Sequence, residues 1–199
     1  MKCLAIGLVL AFTIGMASVQ DPEPTCKGCP ATYVGNAELE EFLDWGIASR
    51  TIDQQVRAID VGKLNVDVAM VHRGKLDAPL PNSVAEHDLV GEVYHIIDGS
   101  ATIVTGPDLV DKVRRPATQD NVRLLNGPGH SAASIRNGVT HHLKAGDVLV
   151  IPAGTGHWFT RIDDHISYLM IRVDPDKVTP LLNETDAKAS LAKKKAARP

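Results

Sequence analysis

Two histidines and a glutamate are the residues best placed for chemistry. His87 and Glu92 lie in "EHDLVGEVYHIIDG", residues 86–99, and His157 lies in "GDVLVIPAGTGHWF", residues 146–159. The run from Gly91 reads as a strand, so residues 92, 94 and 96 share one face and 93, 95 and 97 the other. Glu92 is then on the side of Tyr94 and Ile96, while His95 packs on the opposite face. A carboxylate among apolar neighbours is costly unless something compensates for it. The intervening "DLVG" leaves room for a bend that returns His87 to the side of Glu92. Two imidazoles and one carboxylate converging at a barrel mouth form the facial set that suits a divalent metal with open positions. Spacing alone also allows all three to be ordinary surface groups. Tyr94 is a candidate catalytic acid or substrate-orienting group, with a satisfied core hydroxyl as the simpler reading. Arg161 is a candidate partner for a substrate carboxylate, with a rim ion pair as its alternative.

Such residues need a rigid frame, and the 199-residue chain, 44% hydrophobic, is long enough for one domain with a real core. Its formal net charge of −3 offers no electrostatic reason to expect nucleic-acid binding. Residues 1–17 combine Lys2, an apolar run from Leu4 to Ile14 and the small Gly15 and Ala17, the pattern of a cleaved secretory signal. The expected location is therefore periplasmic or extracellular. The run is too short for a membrane span, and no later segment reads as one. In the arm, residues 18–35, Cys26 and Cys29 form a CxxC. It could be a redox pair, half a zinc site or a local clip, and in an exported arm a disulfide clip is the simplest expectation.

Residues 36–54 read as a docking helix capped by Asn36, with Leu39, Phe42, Leu43, Gly46 and Ile47 on the buried stripe and Trp45 at its edge. From Gln55 the period becomes two. Strands flank a turn at Gly62-Lys63, and Leu64, Val66, Val68 and Met70 form the apolar set, alternating with Asn65 and Asp67. His72, at the strand end, reads as a rim histidine. Residues 107–140 form a long excursion with short strands or a helical turn, containing the basic cluster Lys112, Arg114 and Arg115. Three closing strands follow, the last two being "HWFTRI" and "ISYLMIRVDP". Residues 179–199 read as a basic, disordered tail. The fold expected from this pattern is an all-β sandwich or barrel over residues 55–178.

The chain resembles the cupins over roughly residues 60–175. Gly146, Pro152, Gly154 and His157 match every position of that family's second motif, and His87, Glu92 and Gly99 match the end of its first. The resemblance implies a double-stranded β-helix (jelly-roll) barrel with one N-terminal helix, and metal binding by His87, Glu92 and His157. The whole chain is similar to exported single-domain bacterial cupins. A homodimer and a small-molecule ligand are further expectations from the resemblance. Ala85 stands where the family's first motif usually has another histidine, and Arg161 where its second motif often ends in asparagine.

Two functions follow from this. With Fe, the site suits dioxygenase-like chemistry, and with Mn, Zn or Ni it would polarise a carbonyl for isomerase or lyase chemistry. The alternative is a non-catalytic small-molecule-binding cupin whose metal site has degenerated. A redox role for Cys26 and Cys29 is weaker than either.

Overall fold

A computed structural model describes residues 21–197. The expected signal segment lies outside the described residues. Helix α1 (Asn36–Ser49) is followed by strands β1 (Asp53–Asp60), β2 (Asn65–Leu76), β3 (Val84–His87) and β4 (Gly91–Gly106). The excursion then supplies β5 (Leu109–Val110), β6 (Val113–Arg114), a π-helical turn (Val122–Asn126), β7 (Gly129–Ala132) and β8 (Ser134–Ile135). The chain closes with β9 (Val139–Lys144), β10 (Val148–Ile151), β11 (Gly156–Asp174) and α2 (Glu184–Ala196).

Two long strands run through both layers of the barrel. In one layer the antiparallel order is β1-β2-β11-β4-β10, and in the other it is β6-β7-β3-β11-β4-β9. Both β4 and β11 must therefore bend. Strand β4 bends at Gly99, whose φ is 78° and where a Cβ would stand 2.1 Å from the His165 carbonyl oxygen. Only glycine fits there, by conformation and by space. Strand β11 bends opposite, where its register shifts between Phe159 and Ile166, so the two closing strands expected from the sequence are one bent strand. Inside, Tyr94, Ile96, Ile103, Phe159, Ile166, Tyr168 and Met170 form the apolar core.

Strand β2 is buried on both faces. The barrel interior receives Asn65, Asp67, Ala69, Val71 and Arg73. The apolar set containing Val68 and Met70 faces outward, where α1 and α2 cover it with Phe42, Leu39, Leu43 and Leu191. Alternation reports two faces, and here both are buried. On α1, Gly35 rather than Asn36 stands at the N-cap, and Asn36 Nδ2 donates to Glu40 Oε1 at 2.7 Å. Ile47, assigned to the buried stripe, is instead exposed.

The tail is also corrected: residues 184–196 are helix α2. The Asn183 side chain caps it by accepting from Asp186 N at 2.9 Å. Glu184 and Asp186 lie in its first turn and Lys193, Lys194 and Lys195 in its last, the arrangement that the helix dipole favours. Ala187 and Leu191 anchor it beside α1, and Lys195 pairs with Glu41 at 2.8 Å. Two buried side chains sufficed for docking where the composition had pointed to disorder. In the arm, Cys26 and Cys29 are joined as a disulfide. Among the described residues, no helix is long and apolar enough to cross a membrane.

Candidate metal centre

Three separate pieces of chain deliver the donors. His87 ends β3, Glu92 follows it on β4, and His157 opens β11 after a turn at Pro152-Ala153-Gly154. Gly154, with φ 78°, donates its N–H to the His87 carbonyl oxygen at 2.7 Å, so one hydrogen bond ties the second motif's turn to the first motif's histidine. All three side chains are buried, and their donor atoms lie within 4.8 Å of one another. His87 Nε2 is 3.3 Å from Glu92 Oε1, and His157 Nε2 is 3.5 Å from Glu92 Oε2. Metal–ligand bonds of about 2.1 Å set neighbouring donors roughly 3.0–3.4 Å apart, so this spacing matches donors that face a shared ion.

The electrostatics agree with that arrangement. Burial drives His157 down to about 4, helped by the nearby His87 and Arg73 and opposed by Glu92, so at neutral pH its ring carries no competing charge. Burial alone would raise Glu92, but His87, His157 and Arg172 outweigh it and hold the carboxyl well below its ordinary range. Tyr94 donates its hydroxyl hydrogen to Glu92 Oε2 at 2.6 Å, and burial together with the Glu92 charge raises it well above the usual phenol range. That hydrogen bond satisfies the buried hydroxyl and orients the Glu92 carboxylate. Arg172 Nε lies 3.6 Å from Glu92 Oε1 while its Nη2 is paired with Asp53.

Arg161 is not at the site. The bulge after Phe159 turns it outward, where its Nε donates to Asp163 Oδ1 at 2.6 Å. His95 is exposed on the outer face of β4. His72 is hydrogen-bonded to Ser167 at 2.9 Å and stacked on His165. Four residues not singled out by the sequence do reach the site. Arg73 and Arg172 come from the polar interior of β2 and β11. Asn126, from the π-helical turn, lines the chamber between the donors, and its buried Oδ1 has no hydrogen-bond partner. Arg115, from the basic cluster of the long excursion, places Nη2 2.8 Å from His87 Nδ1. A guanidinium can only donate, so this contact leaves the neutral His87 ring with its proton on Nε2. Ligation through Nε2 requires Arg115 to turn away, and the Glu86 carbonyl, which the same nitrogen already reaches, is its alternative acceptor.

An inner chamber of about 70 Å³ lies between the three donors, and an outer pocket of about 250 Å³ opens beside it. Ile52, Arg73, Ala85 and His157 line both. Ala85 is paired directly opposite His157. At a position where the first motif of cupins usually has a histidine, it adds only a methyl group to the wall that the two spaces share.

The AraC-like ligand binding domain family matches residues 134–194, which include the second motif and all of β11. The two-layer strand order and the hydrogen bond that joins the two motifs show the architecture. The fold is a cupin-type barrel. Solved structures similar to this chain include a Bacillus halodurans protein (16% identity, 80% of this chain and 96% of that one, TM-score 0.40). Others are a cupin protein from Bacteroides fragilis (20%, 61% and 75%, 0.35) and a Klebsiella pneumoniae protein with a double-stranded β-helix domain (16%, 65% and 85%, 0.35). No curated protein matches it.

Proposed function

We propose that this protein holds one divalent metal ion through His87, Glu92 and His157 and uses it on a small molecule entering through the outer pocket. The observation that carries this reading is the convergence of three buried donors, spaced as neighbouring ligands, on a chamber that also contains an orphaned acceptor, Asn126 Oδ1. The likeness to a ligand binding domain family supports a small-molecule ligand. When bound, the ion would supply Lewis-acid polarisation, or with iron an O₂-linked oxidation. Tyr94 keeps the Glu92 carboxylate turned toward the donors, Arg172 offsets its charge, and the apolar core around Tyr168 and Met170 keeps water from the chamber's floor. The Cys26–Cys29 disulfide supports export to an oxidising compartment.

Chelation followed by reconstitution with Fe, Mn, Zn or Ni tests the reading. At a hundredfold excess over Kd, a bound ion adds about 2.7 kcal/mol, or a rise in Tm of roughly 5–10 °C for a chain this size. A melt unmoved by every one of these ions would contradict it. Binding without turnover is the second reading, and the contact between Arg115 and His87 Nδ1 favours it by opposing ligation. Steady O₂ consumption or product formation with a loaded protein would exclude that alternative.

A further inference from the structure

Arg73 stands at the junction of the inner chamber and the outer pocket and lines both. Two other interior arginines have carboxylate partners. Arg57 pairs with Glu38 at 2.7 Å, and Arg172 pairs with Asp53 and lies near Glu92. Among the described residues, no carboxylate oxygen lies within ion-pairing distance of Arg73. Its guanidinium is nevertheless held firmly. The carbon Cζ lies 4.5 Å over the Phe159 ring, and Nε donates to the Tyr168 hydroxyl at 3.2 Å. These contacts leave the Nη edge free, and no residue lining the outer pocket is an Asp or Glu. Ile52, Leu76, Leu80, Phe159 and Ile162 make most of that pocket apolar.

A fixed guanidinium with an uncommitted edge matches the geometry of a carboxylate, which it can bind through two parallel hydrogen bonds. We infer that the small molecule admitted here is a carboxylic acid with a compact apolar body, and that Arg73 grips its carboxylate beside the metal chamber. The body fills the outer pocket, and the atoms next to the carboxylate are presented past Ala85 toward His157. The two cavities limit the size: an aromatic ring or a short branched chain fits, and a long acyl chain does not. This rests on the proposed site reading only for what happens after binding. The grip itself needs no ion.

The test is equilibrium binding of benzoate and 3-methylbutanoate, each against its neutral amide, to the full chain by calorimetry. Metal content and far-UV circular dichroism are measured on the same samples. Each acid is expected to bind at least about tenfold tighter than its amide. Arg73→Met should reduce that preference to less than twofold, and Arg73→Lys, which keeps the charge but not the fork, should leave an intermediate value. If the Met variant fails to fold, the drop in the Lys variant decides the matter. Chelator-treated wild type should keep the preference, which excludes the ion as its source. Acids and amides binding alike, a preference that survives in Arg73→Met, or no binding of any probe would overturn the inference. A wild type without metal that still prefers acids through Arg73 would uphold it while removing the metal reading. A loaded wild type without the preference would do the reverse.

Discussion

Strand β3 carries two clusters of metal-ligating side chains on opposite faces. His87 points inward to Glu92 and His157, and Glu86 points outward to His130 and Asp88. Both are compact groups of imidazole and carboxylate donors, two imidazoles and one carboxylate inside and the reverse outside, but the bonding differs. The outer group satisfies itself: His130 Nδ1 meets Glu86 Oε2 at 2.7 Å, and Asp88 is paired with Arg114. The inner histidines stand 3.3 and 3.5 Å from the carboxylate oxygens, farther than a good hydrogen bond and beside open volume. A cluster that bonds to itself fastens β3 to β7. A cluster held apart by its surroundings is prepared for something else, and the two faces differ in those surroundings as well as in the balance of imidazole and carboxylate.

The comparison can be broken most severely at Glu92. Replacing it with Gln keeps its shape and removes the charge, and metal affinity by chelator competition should fall at least about a hundredfold. An unchanged affinity would make the inner cluster no different from the outer one. Arg115→Gln should act in the opposite direction. It frees His87 Nδ1, and metal should bind roughly tenfold tighter in the same assay. Weaker binding would show instead that Arg115 braces the ligand.

A third polar group sharpens the contrast from the closed end of the interior. Asp67 and Asp174 are buried around Thr179, whose hydroxyl donates to Asp174 Oδ2 at 2.8 Å. Burial raises Asp67 from 3.8 to about 6, with Asp174 adding to the rise and Arg172 opposing it. The folded state therefore holds this proton more tightly than the unfolded chain. Stability should fall as pH rises from about 4 to about 6, by on the order of 3 kcal/mol from this group, and stay lower above that window. Asp67→Asn should flatten that slope in urea melts at pH 4.5 and 7, and an unaltered slope would remove Asp67 as its origin. The smallest effect belongs to the outer cluster. His130→Ala should leave metal stoichiometry unchanged and cost about 1 kcal/mol of stability, and loss of metal there would undo the comparison.

The barrel and its three inner donors were legible because both depend on local patterns. The motif glycines mark turns, and strand parity separates Glu92 from His95. What was not legible depended on tertiary context. Alternation in β2 could not say which face was interior, because α1 and α2 bury the apolar one and leave Asn65, Asp67 and Arg73 inside. Parity would have carried Arg161 inward with His157 and Phe159, but the bulge in β11 reverses it. Arg73 fills the part that the sequence offered to Arg161, a guanidinium available to a carboxylate, from the polar face of a strand buried on both sides. Helix α2 was missed because two buried side chains and an Asn183 cap barely register in a lysine-rich composition.

The central claim is that the inner cluster is a metal site and the outer one is not. Elemental analysis of the reconstituted protein and of His157→Ala tests it most directly. The account predicts close to one divalent ion per chain in the wild type and almost none in the variant. A wild type without metal, or a His157→Ala protein that still holds a full ion, would contradict it.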